Sequence, residues 1–288
     1  MLLNNEVFVL PQLVEFSVNP AVSVIVTTKN EEYNIRACLE SLLKQSMPPL
    51  EMIVVDNFSE DKTTEIAQKF GAKVFQLGPE RSAQRNYGAK KAHGKYILYL
   101  DADMRLSPKV IEECVNHCEA DKDISGIYIP EIIIGKGFWI KVRRFERSFY
   151  DGTVIDAVRF VPKKAFLEVK GFDLLLTGPE DWDFDKKIRR LGKTVVTEAN
   201  LEHDEGNFDL QNYLDKKSYY SKGFDLYIEK WGKDDPDILK QLKLWYRYIG
   251  VFTEQGKFIK LLVHPILTLG MYYLRFRVGL LYLFKKPK

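Results

Sequence analysis

The alternation of strand and helix patterns along residues 22–100 most limits what this chain can fold into. β-Branched and aromatic runs predict strands at 22–28, 51–56, 72–77 and 95–100, and helix spacing predicts helices at 31–45, 60–70 and 81–92. The links between them are short, and a "MPP" break and a glycine end the first two helices. This pattern predicts an α/β fold, with a mostly parallel sheet covered by helices on both faces.

Polar residues fall at the carboxyl ends of three of these strands. Thr27, Asp56 and Asp101 each close a strand. Ligands of parallel α/β sheets bind at that edge. The sequence therefore predicts a binding site there.

Composition excludes some classes of protein. The 288 residues are 45% hydrophobic, enough for one large domain or two small ones. A net charge of +3 does not make the basic stripe of a nucleic-acid binder. Three cysteines fit a reducing compartment, and Cys114, His117 and Cys118 are interpreted as packing residues rather than metal ligands. The first residues lack the pattern of a secretory signal, so none is expected.

The middle of the chain has a less regular pattern. We predict a strand over 124–134, an aromatic and basic amphipathic helix over 137–150, and a helix over 180–192. The stretch "ANLEHDEG" (199–206) is predicted to be a loop. Residues 209–231 are predicted to form one long helix, on which Lys217 and Lys222 either meet phosphates or form a solvated face.

The C-terminal part combines apolar and basic residues. Residues 261–274 carry no Lys, Arg, Asp or Glu, but they are too few to span a bilayer as a helix. On a helical wheel, Lys260, His264, Thr268 and Arg275 share one narrow sector. An in-plane interfacial helix is the favoured interpretation, with basic residues 257–288 facing an anionic membrane surface. A helical hairpin packed on the domain, or a partner interface, is the alternative.

The stretch "YLDADM" places Asp101 and Asp103 at the end of a predicted buried strand. Mg²⁺ and Mn²⁺ prefer hard carboxylate oxygens and often share them with substrate phosphates. The pair therefore predicts a divalent metal site, and a helix cap plus a surface acid is the alternative.

Four stretches in order resemble family 2 glycosyltransferases of the GT-A fold: "VSVIVTTKNEEYNI", "IVVDNFSEDKT", "RSAQRNYGAKKAHGKYILYLDADM" and "VKGFDLLLTGPEDWDFDKKIRRLGK". The resemblance covers roughly residues 20–232. It implies a nucleotide-sugar donor, usually a divalent metal, and inversion at the anomeric carbon.

By this resemblance the donor contacts are the residues at the strand ends and the third helix. The first strand-end loop, with Thr27, Lys29 and Glu31, would line the base and ribose, although Lys29 replaces the family's common aromatic residue. Asp56 would read the base edge, with a turn acid as the alternative. Arg85, assisted by Arg81, would lie near the base or diphosphate, with a solvated helix face as the alternative. Asp101 would contact the ribose or the metal, Asp103 the metal, and His203 the metal or diphosphate.

The resemblance also implies a catalytic base. In the family, the aspartate of a Glu-Asp pair removes the proton of the acceptor hydroxyl, and the matching aspartate here is Asp181. Glu180 would bind the acceptor or orient the pair. Helix capping is the alternative for both acids. Trp182 either stacks on a sugar or packs in the core.

Together these patterns predict a metal-assisted, inverting glycosyltransferase. The expected donor is a UDP- or GDP-sugar, the cofactor Mn²⁺ or Mg²⁺, and the acceptor a lipid-linked phosphate or glycan at the cytoplasmic face of a membrane. A catalytic domain is expected over 1–232 and a membrane-associating segment over 233–288. A sugar-phosphate nucleotidyltransferase is the alternative enzyme, although "TTKNEE" lacks the glycines of its phosphate loop. A non-enzymatic nucleotide- or sugar-binding protein is the third alternative.

Overall fold

The structure is a computed structural model that describes residues 21–284. The first residues, examined above for a signal, and Lys285, Lys286 and Lys288 of the basic tail lie outside this range. Within it, the strands are β1 (Val22–Thr28), β2 (Glu51–Asp56), β3 (Lys73–Gln76), β4 (Tyr96–Asp101), β5 (Met104–Leu106), β6 (Ile124–Tyr128), β7 (Glu131–Lys136), β8 (Phe160–Pro162), β9 (Lys193–Val196) and β10 (Leu201–Asn207).

The helices in the same range surround these strands and continue after the last of them. They are α1 (Ile35–Leu43), α2 (Thr63–Lys69), α3 (Arg81–Lys91), α4 (Val110–Ala120), α5 (Phe138–Arg147), α6 (Lys163–Glu168), α7 (Glu180–Arg189), α8 (Leu210–Tyr220), α9 (Phe224–Trp231), α10 (Pro236–Leu242), α11 (Val251–Thr253), α12 (Ile259–Val263) and α13 (Pro265–Phe284).

A seven-stranded sheet forms the centre, in the order β3-β2-β1-β4-β8-β6-β9. Its strands run parallel except β8, which is antiparallel to both β4 and β6. Strands β1, β2 and β4 are almost wholly buried because helices cover both faces of the sheet. The predicted mostly parallel α/β fold is confirmed.

A second, three-stranded sheet stands beside the end of β4, in the order β5-β10-β7. The chain leaves the central sheet at Asp101, turns through Ala102 and Asp103, and enters β5 at Met104. Strand β10 pairs antiparallel to β5 and parallel to β7. This sheet forms one wall of the site.

Three predicted elements were wrong in their extent. The strand expected over 124–134 is two strands in different sheets, because Pro130 supplies no N–H and the chain changes sheets there. The loop expected at 199–206 contains β10. The helix expected over 209–231 is interrupted at Ser221–Gly223, where a Cβ on Gly223 would lie 2.3 Å from the carbonyl oxygen of Thr177.

The C-terminal helices pack on the rest of the protein. Met271 and Leu274 of α13 are fully buried in one apolar cluster with Val142, Phe149 and Phe252. The prediction that Arg275 shares one polar sector with Lys260 was wrong: the helix breaks at His264, α13 starts at Pro265, and Arg275 is buried. Within residues 21–284, no helix combines the length and apolarity needed to cross a bilayer.

Candidate active site

A cavity of about 940 Å³ opens at the carboxyl ends of β1 and β4. The small sheet, the first turn of α7 and the length of α8 complete its walls. Nine of the residues predicted from the sequence line it: Thr27, Lys29, Glu31, Arg81, Asp101, Asp103, Glu180, Asp181 and His203. Two others, Asp56 and Arg85, lie beneath its surface. The structure therefore brings most of the predicted residues to one place.

Asp101 is held by cations and a hydroxyl. Its carboxylate accepts hydrogen bonds from Thr27 Oγ1 at 2.7 Å and from Arg85 at 3.1 Å, and Arg81 lies 3.4 Å away. Burial opposes its ionisation, but the positive charges of Arg85 and Arg81 hold the pKa of Asp101 well below its usual range. Because these partners occupy both oxygens, Asp101 is the less available of the two acids for a metal.

Asp103 has the opposite character. Its Oδ2 lies 3.2 Å from His203 Nε2, whereas its Oδ1 is buried and has no hydrogen-bond partner. A buried polar atom without a partner is rare and calls for an explanation. Coordination of a cation by Oδ1 would supply the partner that this oxygen lacks.

His203 bridges two carboxylates. Its Nδ1 lies 2.8 Å from Oε1 of Glu131, an acid at the start of β7 whose side chain is 8% exposed and which the sequence analysis did not single out. Burial lowers the pKa of His203, but the hydrogen bonds to Asp103 and Glu131 outweigh it and raise this pKa to about 10. A histidine ligand whose second nitrogen is fixed by a carboxylate is the usual arrangement at metal sites.

Asp103 and His203 fit a divalent cation that takes its remaining ligands from a substrate. Within the described part of the chain, no group of three or more His, Cys, Asp or Glu side chains is assembled for a metal. Mg²⁺ commonly binds through one or two carboxylates together with substrate phosphates. The residues present fit such a site. The interpretation of Cys114 and Cys118 as packing residues agrees with their burial on α4.

Arg85 lies beneath the cavity and joins its two acidic ends. It is 1% exposed, stacks over Tyr99 and Phe172, and pairs with Asp101 at 3.1 Å and Asp181 at 2.7 Å. Its place under both acids makes it a positioning residue. Contact between Arg85 and a nucleotide, as the sequence analysis expected, stays a prediction.

The acids at the start of α7 divide into two pairs. Glu180 accepts from the backbone N–H of Gly178, and burial together with the charge of Asp181 raises its pKa. Asp181 lines the cavity and uses one carboxylate oxygen for Arg85. Asp183 and Asp185 are buried on the other side of the helix, where they pair with Lys187 and Arg189. Of these four acids, only Glu180 and Asp181 line the cavity and could contact a substrate.

Asp56 shapes the loop after β2. It is fully buried, and its two oxygens accept from the backbone N–H and the hydroxyl of Ser59. The next residue, Asn57, lines the cavity instead. The turn-acid alternative therefore describes its contacts here, and recognition of a base by Asp56 stays a prediction. Trp182 packs 5.9 Å from Phe224 in a stacked pair, as the core alternative predicted.

Several lining residues escaped the sequence analysis. They come from α5, from the residue before β8 and from α8: Arg143, Arg159, Tyr213 and Tyr220. Arg143 belongs to the predicted aromatic and basic helix, so its charge was visible in the sequence. Which side of that helix faces the cavity depends on the small sheet, which the sequence did not predict.

Comparison with known proteins gives the site a context. The model of the family "Glycosyl transferase family 2" matches residues 23–171. An uncharacterized glycosyltransferase of Rickettsia typhi is 34% identical over 265 residues, which cover 84% of this chain and 82% of that protein. The putative glycosyltransferase EpsH of Bacillus subtilis is 32% identical over 111 residues, 36% of this chain and 32% of EpsH. The chain covers 32% of EpsH, 61% of an uncharacterized glycosyltransferase of Haemophilus influenzae and 33% of EpsJ of Bacillus subtilis. It therefore spans less than two thirds of the length of these three relatives.

Solved structures share the fold at low sequence identity. A mannosyltransferase of Pyrobaculum calidifontis, in complex with GDP-Man and Mn²⁺, matches 93% of this chain and 82% of its own with a TM-score of 0.58 and 17% identity. Residues 1–349 of TarS of Staphylococcus aureus, in complex with UDP-GlcNAc, match 79% of this chain and 78% of their own with a TM-score of 0.52 and 20% identity. These likenesses establish the same mixed α/β architecture.

Proposed function

The chain belongs to glycosyl transferase family 2, and from that premise we propose that it transfers a sugar from a nucleotide-diphosphate sugar to an acceptor hydroxyl or phosphate, with inversion. The observation that carries the proposal is the pair of Asp103 and His203, which line the cavity beside the donor-side residues and lie 3.2 Å apart, while Oδ1 of Asp103 has no hydrogen-bond partner. The neighbours of the same fold hold GDP-Man and UDP-GlcNAc. The proposed donor is accordingly a UDP- or GDP-sugar.

The donor would lie along the ends of β1 and β4. Thr27, Lys29 and Glu31 line the cavity where the base and ribose would sit, with Asp56 behind the loop. Arg81 reaches the cavity from α3 and lies 3.3 Å from the hydroxyl of Tyr220 on α8. Its guanidinium is therefore placed to contact a diphosphate.

Asp103 and His203 would hold Mn²⁺ or Mg²⁺. When bound there, a divalent cation offsets the negative charge that develops on the leaving diphosphate. The fold neighbour with bound Mn²⁺ supports this choice of cofactor. Glu131 orients the imidazole of His203 from behind.

Asp181 is the proposed general base. Arg85 fixes one carboxylate oxygen, which leaves the second oxygen for the proton of the attacking acceptor. As the acceptor oxygen bonds to the anomeric carbon, the bond from that carbon to the diphosphate breaks on the opposite face. A hydroxyl acceptor passes its proton to Asp181, whereas a phosphate acceptor attacks as its anion and has no proton to give. In both cases the electron pair of the broken bond leaves with the diphosphate. Glu180, beside it, would contact the acceptor or orient Asp181.

The acceptor would be lipid-linked and reached at the cytoplasmic face of a membrane. Five large side chains form an exposed apolar row, which we call the outer stripe: Leu262, Ile266, Leu269, Tyr273 and Phe276. The four residues on α13 are spaced three and four apart, which places them on one side of that helix, opposite the side that packs on the protein; Leu262 lies on α12, before the break at His264. An apolar surface of this kind is typical of interfacial helices. Membership of the family favours this function over the nucleotidyltransferase and non-enzymatic alternatives.

Thermal unfolding with a panel of nucleotides tests the proposal. A ligand that binds only the folded state raises the melting temperature by mass action. We expect UDP, GDP or one of their sugars to raise it by several degrees in Mn²⁺ and by less in EDTA. Asp103→Ala should lose the metal-dependent part, whereas Asp123→Ala, on a remote exposed acid, should keep it. Folded wild-type protein that responds to none of the UDP, GDP, CDP and dTDP compounds would contradict the proposal.

A further inference from the structure

The cavity is also lined by two cations that have no role in the proposed donor site. Arg143 of α5 and Lys217 of α8 both line it, and they lie 5.1 and 5.5 Å from the ring of Tyr213. The two positive side chains therefore share one aromatic surface at this end of the cavity. We call Arg143, Tyr213 and Lys217 the cation end.

The charges around the cation end do not balance. Arg143 pairs with Glu146 at 2.8 Å and Glu205 at 3.0 Å, and Glu146 also pairs with Arg275 at 3.0 Å. Among residues 21–284, no carboxylate lies within 4.0 Å of the ammonium of Lys217. Three cations, Arg143, Arg275 and Lys217, thus lie near only two carboxylates, those of Glu146 and Glu205. Lys217 pairs with neither carboxylate and lines the cavity.

The charged form of Lys217 is destabilised where it lies, and a bound anion would stabilise it. Burial, followed by the repulsion of Arg143, lowers its pKa to about 8. A desolvated charge without a partner is costly, and a bound anion removes that cost. The cation end is therefore suited to a negatively charged group.

The position of the cation end fits an acceptor better than a donor. Glu205, the partner of Arg143, follows His203 by two residues in β10, which is about 7 Å along an extended chain. Both line the cavity. An anion at the cation end would thus be separated from the metal ligands by a distance comparable to a sugar ring.

The opposite side of the cation end adjoins the C-terminal helix. Arg275 of α13 shares Glu146 with Arg143 and reaches the hydroxyl of Tyr150. The same helix presents the outer stripe to the surroundings. The outer stripe lies on the other side of α13 from Arg275, so the apolar chain of a molecule with its anionic head in the cavity would pass around this helix to reach the stripe.

From this juxtaposition we infer that Arg143 and Lys217 form a subsite for the phosphoryl group of a lipid-phosphate acceptor. The inference rests on the proposed glycosyltransferase function and specifies its acceptor class. The acceptor is a phosphate or diphosphate ester of a long apolar alcohol, with its phosphoryl group at the cation end and its chain on the outer stripe.

Lys217→Met tests the subsite, with Lys222→Met as the matched control. Lys222 also lies over a tyrosine ring, 5.2 Å from that of Tyr219, but it is exposed and does not line the cavity. The probes are citronellyl phosphate and its uncharged alcohol, citronellol, titrated by calorimetry with and without saturating UDP or GDP and Mn²⁺. We expect the phosphate to bind wild type at least 10-fold more tightly than the alcohol. Lys217→Met should weaken the phosphate roughly 10-fold or more, and Lys222→Met should not.

Three results would overturn the inference. Competition between the nucleotide and citronellyl phosphate would assign the cation end to the donor diphosphate. Equal weakening by both lysine variants would show only general attraction of charge. Inorganic phosphate that binds as tightly as the ester would exclude a lipid acceptor. The titration without nucleotide reads the subsite even if no nucleotide binds, so failure of the proposed function is detected separately.

Discussion

At the scale of single residues, Arg85 supports both acidic ends of the site without lining the cavity. Its guanidinium is enclosed by Tyr99 and Phe172 and pairs with Asp101 and Asp181. Arg85→Met would leave two carboxylates without their buried partner. Breaking a buried pair in this way costs roughly 3–5 kcal/mol.

We therefore expect Arg85→Met to lower the free energy of unfolding, measured by urea denaturation, by about that amount and to abolish sugar transfer. Arg85→Lys should recover part of the stability but little activity, because one ammonium cannot make the two-sided contact of a guanidinium. Wild-type stability of Arg85→Met would show that the two acids do not depend on this residue.

The bridge from His203 to Asp103 and Glu131 makes the stability of the metal-free protein depend on pH. The folded pKa of about 10 exceeds the unfolded value of 6.5, so this contribution is fully present below pH 6.5 and is lost as pH rises towards 10. The shift bounds it at about 5 kcal/mol. The melting temperature of wild type in EDTA should exceed that of His203→Gln at pH 6, and the difference should shrink by pH 9.5.

Addition of Mn²⁺ provides the control for the histidine prediction. A neutral imidazole is the form that binds metal, so wild type with Mn²⁺ should keep its advantage over His203→Gln at high pH. A difference between the two proteins that stays constant across pH in EDTA would contradict the bridged arrangement.

The sequence predicted the residues that line the site better than those that support it. Asp103 and Asp181 lie where a strand end and a helix start were expected to bring them, and His203 joins them from within β10 rather than from the predicted loop. Glu131 was not singled out, and Arg85 was expected to contact the nucleotide. The direction of each side chain depends on packing that the sequence pattern does not show. A helical pattern places Arg85 on α3 but does not show that its side chain turns under β4.

At the scale of the elements, α13 presents apolar residues on two sides. Met271 and Leu274 are fully buried against α5, while Ile266 and Leu269 are 70% and 73% exposed. A surface helix of a water-soluble protein carries polar residues on its outer side. The outer stripe therefore predicts binding to a bilayer surface.

The double variant Leu262→Glu/Leu269→Glu should bind anionic phospholipid vesicles at least 10-fold more weakly than wild type in a co-sedimentation assay, because two charges would enter the apolar layer. Its melting temperature should change little, since neither side chain is buried. Leu43→Glu, an exposed leucine at the end of α1, controls for added charge and should bind normally. Unchanged vesicle binding by the double variant would assign the outer stripe to another partner.

Elements were predicted well where the pattern is local. The alternation from β1 to β4 follows from runs of β-branched and apolar residues that need no distant partner. Strand β10, with three acids and a histidine in "LEHDEGN", has no apolar alternation, and its pairing with β5 and β7 is what makes it a strand. The break after Tyr220 likewise comes from the approach of Gly223 to Thr177, which is distant in sequence.

At the scale of the whole molecule, the C-terminal helices share a core with the rest of the chain. Val142, Phe149 and Phe252 pack against Met271 and Leu274, and Arg275 neutralises Glu146. Deletion of residues 259–288 would expose this apolar cluster and leave Glu146 short of a partner. The division at residue 232 stays a prediction about the chain's organisation.

We expect deletion of residues 259–288 to sharply reduce soluble, cooperatively folding protein, because a large apolar patch would face water. Deletion of residues 285–288 alone removes three lysines and should leave the yield and the urea midpoint unchanged. A stable, monomeric protein lacking 259–288 would show that the catalytic part folds independently of α12 and α13.

The turn at Ala102 and Asp103 carries the chain from one sheet to the other, so the reacting groups come from two separately built parts. The half formed by β1, β2 and β4 would read the nucleotide, β10 would supply His203 to the metal, and α5, α8 and the helices after them would meet the acceptor. Substitutions in these helices can then change which molecule is glycosylated without disturbing the donor. A lineage built on this plan could acquire new products by altering one half and inheriting the other.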